Sequence, residues 1–363
     1  MFVDNSLWGL LNFRLEVIEA FVKRDDNVVL VAPEDKMSDV TKIPYKVRYI
    51  PIKLNRTGMN PFEDLLYYRR LKKLYKLEEP DYIFHFTIKP NIYGVLAAHS
   101  LGIRCSAMIA GLGHIYTQES LKNSLIRLMY KYALRYAEHV MVLNKSNFEV
   151  VEKYKIADRN KIVWLVGGEG VNLLKFPFLP LDNHDKPIFL MICRLLYEKG
   201  YAEYVATANS LKDMAEFRIM GPIDSHPTAV HREIVNADVA SGAIKYIEYS
   251  PNVMDEIKQV DCIVLPSYGE GLSRVLMEGL AMGRPIITTN IPGCRETVRE
   301  SLNGFICKPK DAKDLQMACE KFLSLTFEQK VEMGRASRVL AEEVFDVNGV
   351  IDSYFDILHD RRI

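Results

Sequence analysis

Two short segments in the second half of the chain concentrate side chains able to hold a phosphorylated ligand. The first, residues 261–299, reads DCIVLPSYGEGLSRVLMEGLAMGRPIITTNIPGCRETVR. Its pattern is a strand, a tight Tyr-Gly-Glu-Gly loop, a helix, a second strand and a glycine-containing turn. Gly271, Leu272 and Ser273 are expected to present backbone N–H groups at the start of that helix, where free amides and the dipole favour an anion. Glu270 precedes the helix and Glu278 follows eight residues later. Eight steps return to within about 80° of the starting face. A carboxylate there can accept hydrogen bonds from two vicinal hydroxyls, such as those of a ribose. The second segment, IFLMICRLLYEKG at 188–200, places Arg194 and Lys199 about a short loop at the carboxyl end of a strand. Arg by its planar fork and Lys as a point charge can converge on one diphosphate. Spacing alone favours the plainer alternatives, a helix with one dipole-facing and one solvated carboxylate, and two solvated surface cations. Taken jointly, the segments describe a site for a nucleoside diphosphate.

The candidates in the first half are looser. Residues 4–14, 85–94 and 109–117 are loops after apolar strands. Gly111, Gly113 and His114 follow the strand CSAMIA, and a histidine there can bond a substrate hydroxyl or serve as a surface residue. Residues 120–137, SLKNSLIRLMYKYALRYA, form an amphipathic helix with Lys122, Arg127, Lys131 and Arg135; Arg69, Arg70, Lys72, Lys73 and Lys76 add to the same basic excess. Docking on anionic lipid headgroups and a core helix with a solvated face are both compatible with this pattern.

The elements that must position these residues follow from hydrophobic patterning. Runs apolar on both faces alternate with helix-length segments from end to end, which indicates parallel sheets covered on both sides. Strands are expected at 28–32, 47–51, 81–86, 105–110, 139–143 and 162–166, and again at 187–192, 216–220, 244–248, 261–265 and 285–289. The Gly- and Pro-rich stretch 167–187 reads as an interdomain linker. The chain is therefore expected to be α/β, with two doubly wound Rossmann-like domains facing a cleft and ligands at the carboxyl ends of strands. Only Met1, Phe2 and Val3 precede the polar Asp4-Asn5-Ser6, so the first strand is either a stub or continues upstream of this start.

Composition bounds the alternatives. The 363 residues are 48% hydrophobic and 26% charged, with no net charge and pI about 7.1. This disfavours global disorder and a dedicated nucleic-acid binder. No run of 18 or more apolar residues is present, so no membrane-spanning helix is expected. Six cysteines lack C-x-x-C spacing, which points to free thiols in a reducing cytoplasm and no structural zinc. Zero net charge hides a division. Residues 1–172 carry 25 Lys and Arg against 19 Asp and Glu, and the remainder 22 against 28. A first half at +6 suggests an anionic partner surface.

The run from Arg194 to Lys199-Gly200, followed by PSYGEGLSRVLMEGLAMGRPIITTNIPGCRETV, resembles glycosyltransferase family 4, retaining enzymes of the GT-B fold. Glu270 and Glu278 match that family's E-x7-E signature. The resemblance extends over nearly the whole chain, including Gly170-Val171-Asn172 and the terminal EEVFDVNGVIDSYFDIL. It implies an acceptor domain at 1–170 completed by a helix at 345–363 that crosses back, and a nucleotide-sugar domain at 171–344. By resemblance, Arg194 and Lys199 hold the donor diphosphate, and Glu278 the ribose hydroxyls. Glu270 lies beside the transferred sugar, and Gly271, Leu272 and Ser273 offer amides. The catalytic set is then Glu270, His114, Arg194 and Lys199, with His114 near the sugar's 6-hydroxyl and Asn12 and Arg14 on the acceptor side. Gly269 and Ser273 depart from the family pattern, where a larger or charged residue and a proline are common.

FTIKPNIYG, IAGLG, FRIMGPID and PGCRETV are similar to the branch that builds bacterial surface polysaccharides. That implies transfer of a hexose or N-acetylhexosamine from a UDP-sugar to a polyprenyl-diphosphate-linked glycan in capsule, O-antigen or exopolysaccharide synthesis. Such an enzyme is cytoplasmic and peripheral on the inner face of the plasma membrane. No Asp-x-Asp motif occupies a matching loop, so no metal or other cofactor is expected. Two rival readings are a UDP-N-acetylglucosamine 2-epimerase-like enzyme, which the E-x7-E pattern disfavours, and a non-catalytic GT-B subunit that binds sugar nucleotide.

Overall fold

The computed structural model describes residues 1–360 apart from 35–38, 57–59, 112–119, 225 and 251, together with the side chains of all but Leu121 and Lys122 among these. Two compact units emerge, one of Met1–Glu169 with Val347–Ile363 and one of Gly170–Asp346.

The first unit begins β1 (Phe2–Val3), α1 (Leu7–Phe13), α2 (Leu15–Lys23), β2 (Val29–Ala32), β3 (Arg48–Pro51) and α3 (Pro61–Glu78). It continues β4 (Tyr82–Phe86), a π-helical turn at Pro90–Gly94 running into α4 (Val95–His99), β5 (Arg104–Ile109), α5 (Leu121–Leu134), β6 (His139–Val142), α6 (Lys145–Lys153) and β7 (Ile162–Trp164). Its strands are parallel throughout, in the order β3-β2-β1-β4-β5-β6-β7. The two-residue β1 is an interior strand, third of the seven. Phe2 pairs with Leu30 on one side and Phe84 on the other, and both residues of β1 are buried. Helix starts follow local capping chemistry: Asn60 accepts the Phe62 amide with Pro61 in the first turn, and Ser6 accepts the Gly9 amide.

The second unit runs β8 (Ile188–Ile192), α7 (Tyr201–Leu211), β9 (Glu216–Met220), α8 (Arg232–Ala240), β10 (Lys245–Ile247), α9 (Val253–Ile257), β11 (Cys262–Leu265), α10 (Arg274–Ala281), β12 (Ile286–Thr289), β13 (Gly304–Cys307), α11 (Ala312–Leu323) and α12 (Phe327–Leu340). Its sheet is again parallel, ordered β10-β9-β8-β11-β12-β13. In both sheets the order reverses beside the first strand, the arrangement of a doubly wound domain. The last helix, α13 (Val347–His359), belongs to the first unit. Phe355 lies 5.0 Å from Phe21 of α2, and Tyr354 5.1 Å from Phe84 of β4.

Residues 4–14, expected as a loop, hold helix α1, and two further features depart from the sequence expectation. Strand β13 has no counterpart in the patterning, because four residues opening on glycine give no period to read; a Cβ at Gly304 would lie 1.8 Å from the Ile286 carbonyl, so the pairing itself demands glycine. The segment 170–187 is also less of a linker than its composition suggests. Val171 and Phe176 are buried in the second unit, and the fully buried Arg284 donates to the carbonyls of Leu179 and Pro180 at 2.6 and 3.2 Å. Among the described residues no helix is long and apolar enough to cross a membrane.

A buried histidine links this core to pH. His85, in β4, has no solvent exposure; its Nδ1 lies 3.3 Å from the Ser106 carbonyl and its Nε2 3.0 Å from the Tyr75 hydroxyl. A neutral ring protonated on Nδ1 satisfies both contacts. Burial holds its pKa down at about 3. The folded value lies below the unfolded one, so this group's stabilising contribution is present above pH 6.5 and is lost as pH falls from there toward 3. The loss reaches roughly 1.4 kcal/mol per pH unit. His85→Gln is therefore expected to flatten the pH dependence of the urea midpoint between pH 6.5 and 4 by about one proton. A slope equal to that of the wild type would remove His85 as its source.

Candidate functional site

The site in the second unit is built where β8 and β11 end. After β8 the chain passes through Cys193 to Arg194, with Gly221 pressed against this turn: a Cβ there, at φ 141°, would lie 1.8 Å from the Cys193 carbonyl. Arg194 is half exposed, and its guanidinium donates to Asp224 at 2.7 Å. Asp224 in turn accepts the His226 amide at 3.0 Å. Lys199 ends a single 3₁₀ turn, Tyr197–Lys199, and Gly200 follows in the left-handed region at φ 83°. The Lys199 ammonium lies 2.6 Å from Glu270, and both side chains are largely buried, at 18% and 15% exposure.

That contact joins two loops 71 residues apart, and backbone bonds hold them together. The Glu198 carbonyl accepts the Tyr268 amide at 2.9 Å, and the Glu198 carboxylate accepts the Thr228 hydroxyl at 2.8 Å. Tyr268 donates its hydroxyl to Glu203 at 2.7 Å, tying the Tyr-Gly-Glu-Gly loop to α7. On the far side, Gly293 of the Pro-Gly-Cys turn packs against the backbone carbonyls of Glu270 and Gly271; a Cβ there would sit 2.7 and 2.5 Å from them.

The structure revises the expected amide nest. Helix α10 begins at Arg274, with Ser273 as its N-cap. The Ser273 amide is committed to the Gly293 carbonyl at 2.9 Å and is not offered to a ligand. Gly271 and Leu272 precede the helix rather than open it. Glu278 lies within α10 and pairs with Arg274 at 3.1 Å, both mostly buried. Three cations at one end of the sheet thus each face a carboxylate: Arg194 with Asp224, Lys199 with Glu270, and Arg274 with Glu278. An incoming diphosphate can compete for these cations, and the carboxylates can accept from sugar hydroxyls. Cys193 is no nucleophile here, because burial pushes its thiol up to about 12. All six cysteines are free. Among the described residues no group of three or more His, Cys, Asp or Glu side chains is placed to hold a metal ion.

Residues 176–339 match the family described as glycosyl transferases group 1, and residues 3–144 the one described as glycosyl transferase 4-like. The chain is a glycosyltransferase, with one of these two families matched in each half. Its bacterial relatives include the N,N'-diacetylbacillosaminyl-diphospho-undecaprenol alpha-1,3-N-acetylgalactosaminyltransferase of Campylobacter jejuni, 29% identical over 380 residues that cover 100% of this chain and 98% of the relative. The UDP-Gal:alpha-D-GlcNAc-diphosphoundecaprenol alpha-1,3-galactosyltransferase of Escherichia coli is 23% identical over 84% of this chain and 82% of its own. Among solved structures, a glycosyltransferase from Rickettsia africae superposes with a TM-score of 0.81 at 20% identity, covering 98% of this chain and 97% of the other. The fold is that of the GT-B glycosyltransferases.

In this glycosyltransferase Arg14, expected on the acceptor side, is enclosed within the first unit. It is only 4% exposed, paired with Glu169 at 2.7 Å and Asp4 at 3.5 Å, with its guanidinium 4.0 Å from the centre of the Phe86 ring. Desolvation of so large an ion is offset by these partners, which makes Arg14 a structural tie within the first unit. Asn12 is half-buried and donates to the Trp8 carbonyl at 2.8 Å. His114, with Leu112 and Gly113, lies outside the described residues. The residues that sequence reasoning left without a role are Asp224, Glu198, Thr228 and Arg274. Only Arg274 carried a local signal, its spacing of four from Glu278 on one helix.

Proposed function

We propose that this glycosyltransferase moves a hexose or N-acetylhexosamine from a UDP-sugar to a polyprenyl-diphosphate-linked glycan, with retention at the anomeric carbon. The observation that carries the reading is the Lys199–Glu270 contact, which sets a cation and a carboxylate side by side at the carboxyl ends of two neighbouring strands, with Arg194 on the same loop. Arg194 and Lys199 take the charge that develops on the departing diphosphate, the largest single contribution in sites of this kind. Glu278 accepts the ribose hydroxyls, while Glu270 and the backbone of Gly271 and Leu272 face the transferred sugar; the roles proposed for His114, toward the sugar's 6-hydroxyl, and for Asn12, toward the acceptor, rest on the resemblance alone. The anomeric carbon–phosphate oxygen bond breaks as the acceptor oxygen bonds to the same face, and the acceptor proton passes to the leaving phosphate.

The names of the Campylobacter and Escherichia relatives, both acting on undecaprenyl-diphosphate-linked sugars, support the acceptor class. Surface-polysaccharide assembly at the inner face of the plasma membrane is the setting that fits such an acceptor. With two cations on the diphosphate, the reaction is proposed to need no divalent metal.

Calorimetric titration of UDP, GDP and ADP, with and without EDTA, tests the donor half. UDP is expected to bind best and independently of EDTA, and Glu278→Ala to weaken it roughly 100-fold or more, the cost of two hydrogen bonds to a charged acceptor. Preference for GDP or ADP, or metal-dependent binding, would overturn it. The anomeric configuration of the product, read by NMR, tests retention.

A further inference from the structure

Helix α3 is apolar on two opposite sides. Asp64, Tyr67, Leu71 and Tyr75 form its buried stripe, and the three larger apolar ones among them pack with α4 and α5 in one core cluster. At 100° per residue, Phe62, Leu66, Arg69, Lys73 and Lys76 fall within about 80° of one another on the opposite side. Phe62 is 80% exposed and Leu77 75%, with Leu65 and Leu66 also exposed. The inner stripe already fills the core, so these outward apolar side chains are not explained by folding. Residues 62, 65 and 66, at the spacing of one helix face, make a contiguous patch rather than scattered exposure. Beside it stand Arg69, Lys72, Lys73 and Lys76, which make no ion pair among the described residues.

Helix α5 repeats the pattern in the same layer, since both helices pack on residues 90–99. Leu125, Leu128 and Tyr132 are exposed, and residues 120–137 hold four cations and no acid.

We infer that the outward face of α3, continued on α5, docks on an anionic phospholipid surface. Apolar anchors set among cations fit a headgroup layer over hydrocarbon. A second copy in a two-fold contact would set the same cations against one another, and a nucleic-acid backbone offers no hydrocarbon to Phe62. The inference rests on the lipid-linked acceptor proposed above and says which face brings the enzyme to it.

The test is sedimentation of the full chain with vesicles of phosphatidylcholine alone or mixed equally with phosphatidylglycerol, at 0.1 M salt. Binding is expected only to the mixed vesicles. Lys73→Glu/Lys76→Glu is expected to weaken it by roughly 30-fold or more, since each basic residue near such a surface contributes about 1 kcal/mol. Phe62→Trp is expected to show fluorescence quenched by brominated lipid beyond that of the native tryptophans. Both sites are exposed, so UDP affinity and transfer to a short-chain, water-soluble acceptor should match the wild type. Equal binding to both vesicle types, a Phe62→Trp variant quenched no more than the wild type, or a dimer broken by the charge reversal would overturn the docking face. Loss of transfer with vesicle binding intact would instead overturn the proposed function alone.

Discussion

Lys199→Ala is expected to lower the turnover of sugar transfer by about 10²–10³-fold, the range found when one preorganised donor to a developing oxyanion is removed. Lys199 is placed for that effect by burial. In water a single ammonium beside a diphosphate is heavily screened, whereas at 18% exposure and 2.6 Å from Glu270 it acts where fewer solvent dipoles compete. Its removal also leaves Glu270 largely buried without this partner, so the loss should exceed that of a surface ion pair. The comparison that separates the proposed role from a structural one is the division between kcat and UDP affinity. A cation acting on the leaving group costs turnover more than ground-state binding of UDP. A loss below about threefold in kcat, with the fold intact, would remove Lys199 from the chemistry.

Gly200→Ala is expected to be among the most damaging single methyls in the second unit. At φ 83° any L-residue is strained, by about 1–2 kcal/mol. The new Cβ would also lie 2.1 Å from the Pro266 carbonyl, a backbone atom that cannot swing aside. The loop carrying Lys199 must then part from the loop carrying Glu270. Stability should fall by roughly 3 kcal/mol or more, and transfer should be lost even where the chain remains folded. Gly269, on the same site loop, is the internal control. A Cβ there meets nothing within 4 Å, so Gly269→Ala should unfold like the wild type. Urea denaturation of both variants, followed by transfer assays below their midpoints, decides the matter. Equal stability of the two would show that the Pro266 carbonyl leaves room for a Cβ at position 200.

Reading the chain residue by residue reached far into this fold. Strands such as Val29–Ala32, Tyr82–Phe86 and Cys262–Leu265 are apolar on both faces because both faces are covered, and that pattern is complete within four or five residues. The segments holding Arg194, Lys199, Glu270 and Glu278 were legible for the same reason, since each lies at a strand end or on the helix that follows. Strand β13 escaped because its opening glycine answers to the backbone of Ile286, not to any neighbour in sequence.

What the tertiary structure alone decided are the pairings between segments. Arg14, read as an acceptor contact, is enclosed by Asp4, Glu169 and Phe86, 10 to 155 residues away in the chain. The Ser273 amide, read as free, is taken by Gly293, and Asp224 turns out to be the partner of Arg194. Hydrophobic period and capping are written within a window of one element, so a sequence displays them directly. Which cation meets which carboxylate, and which amide is already spent, depends on how loops from different strands are brought within about 3 Å of each other, and only the packed sheet determines that.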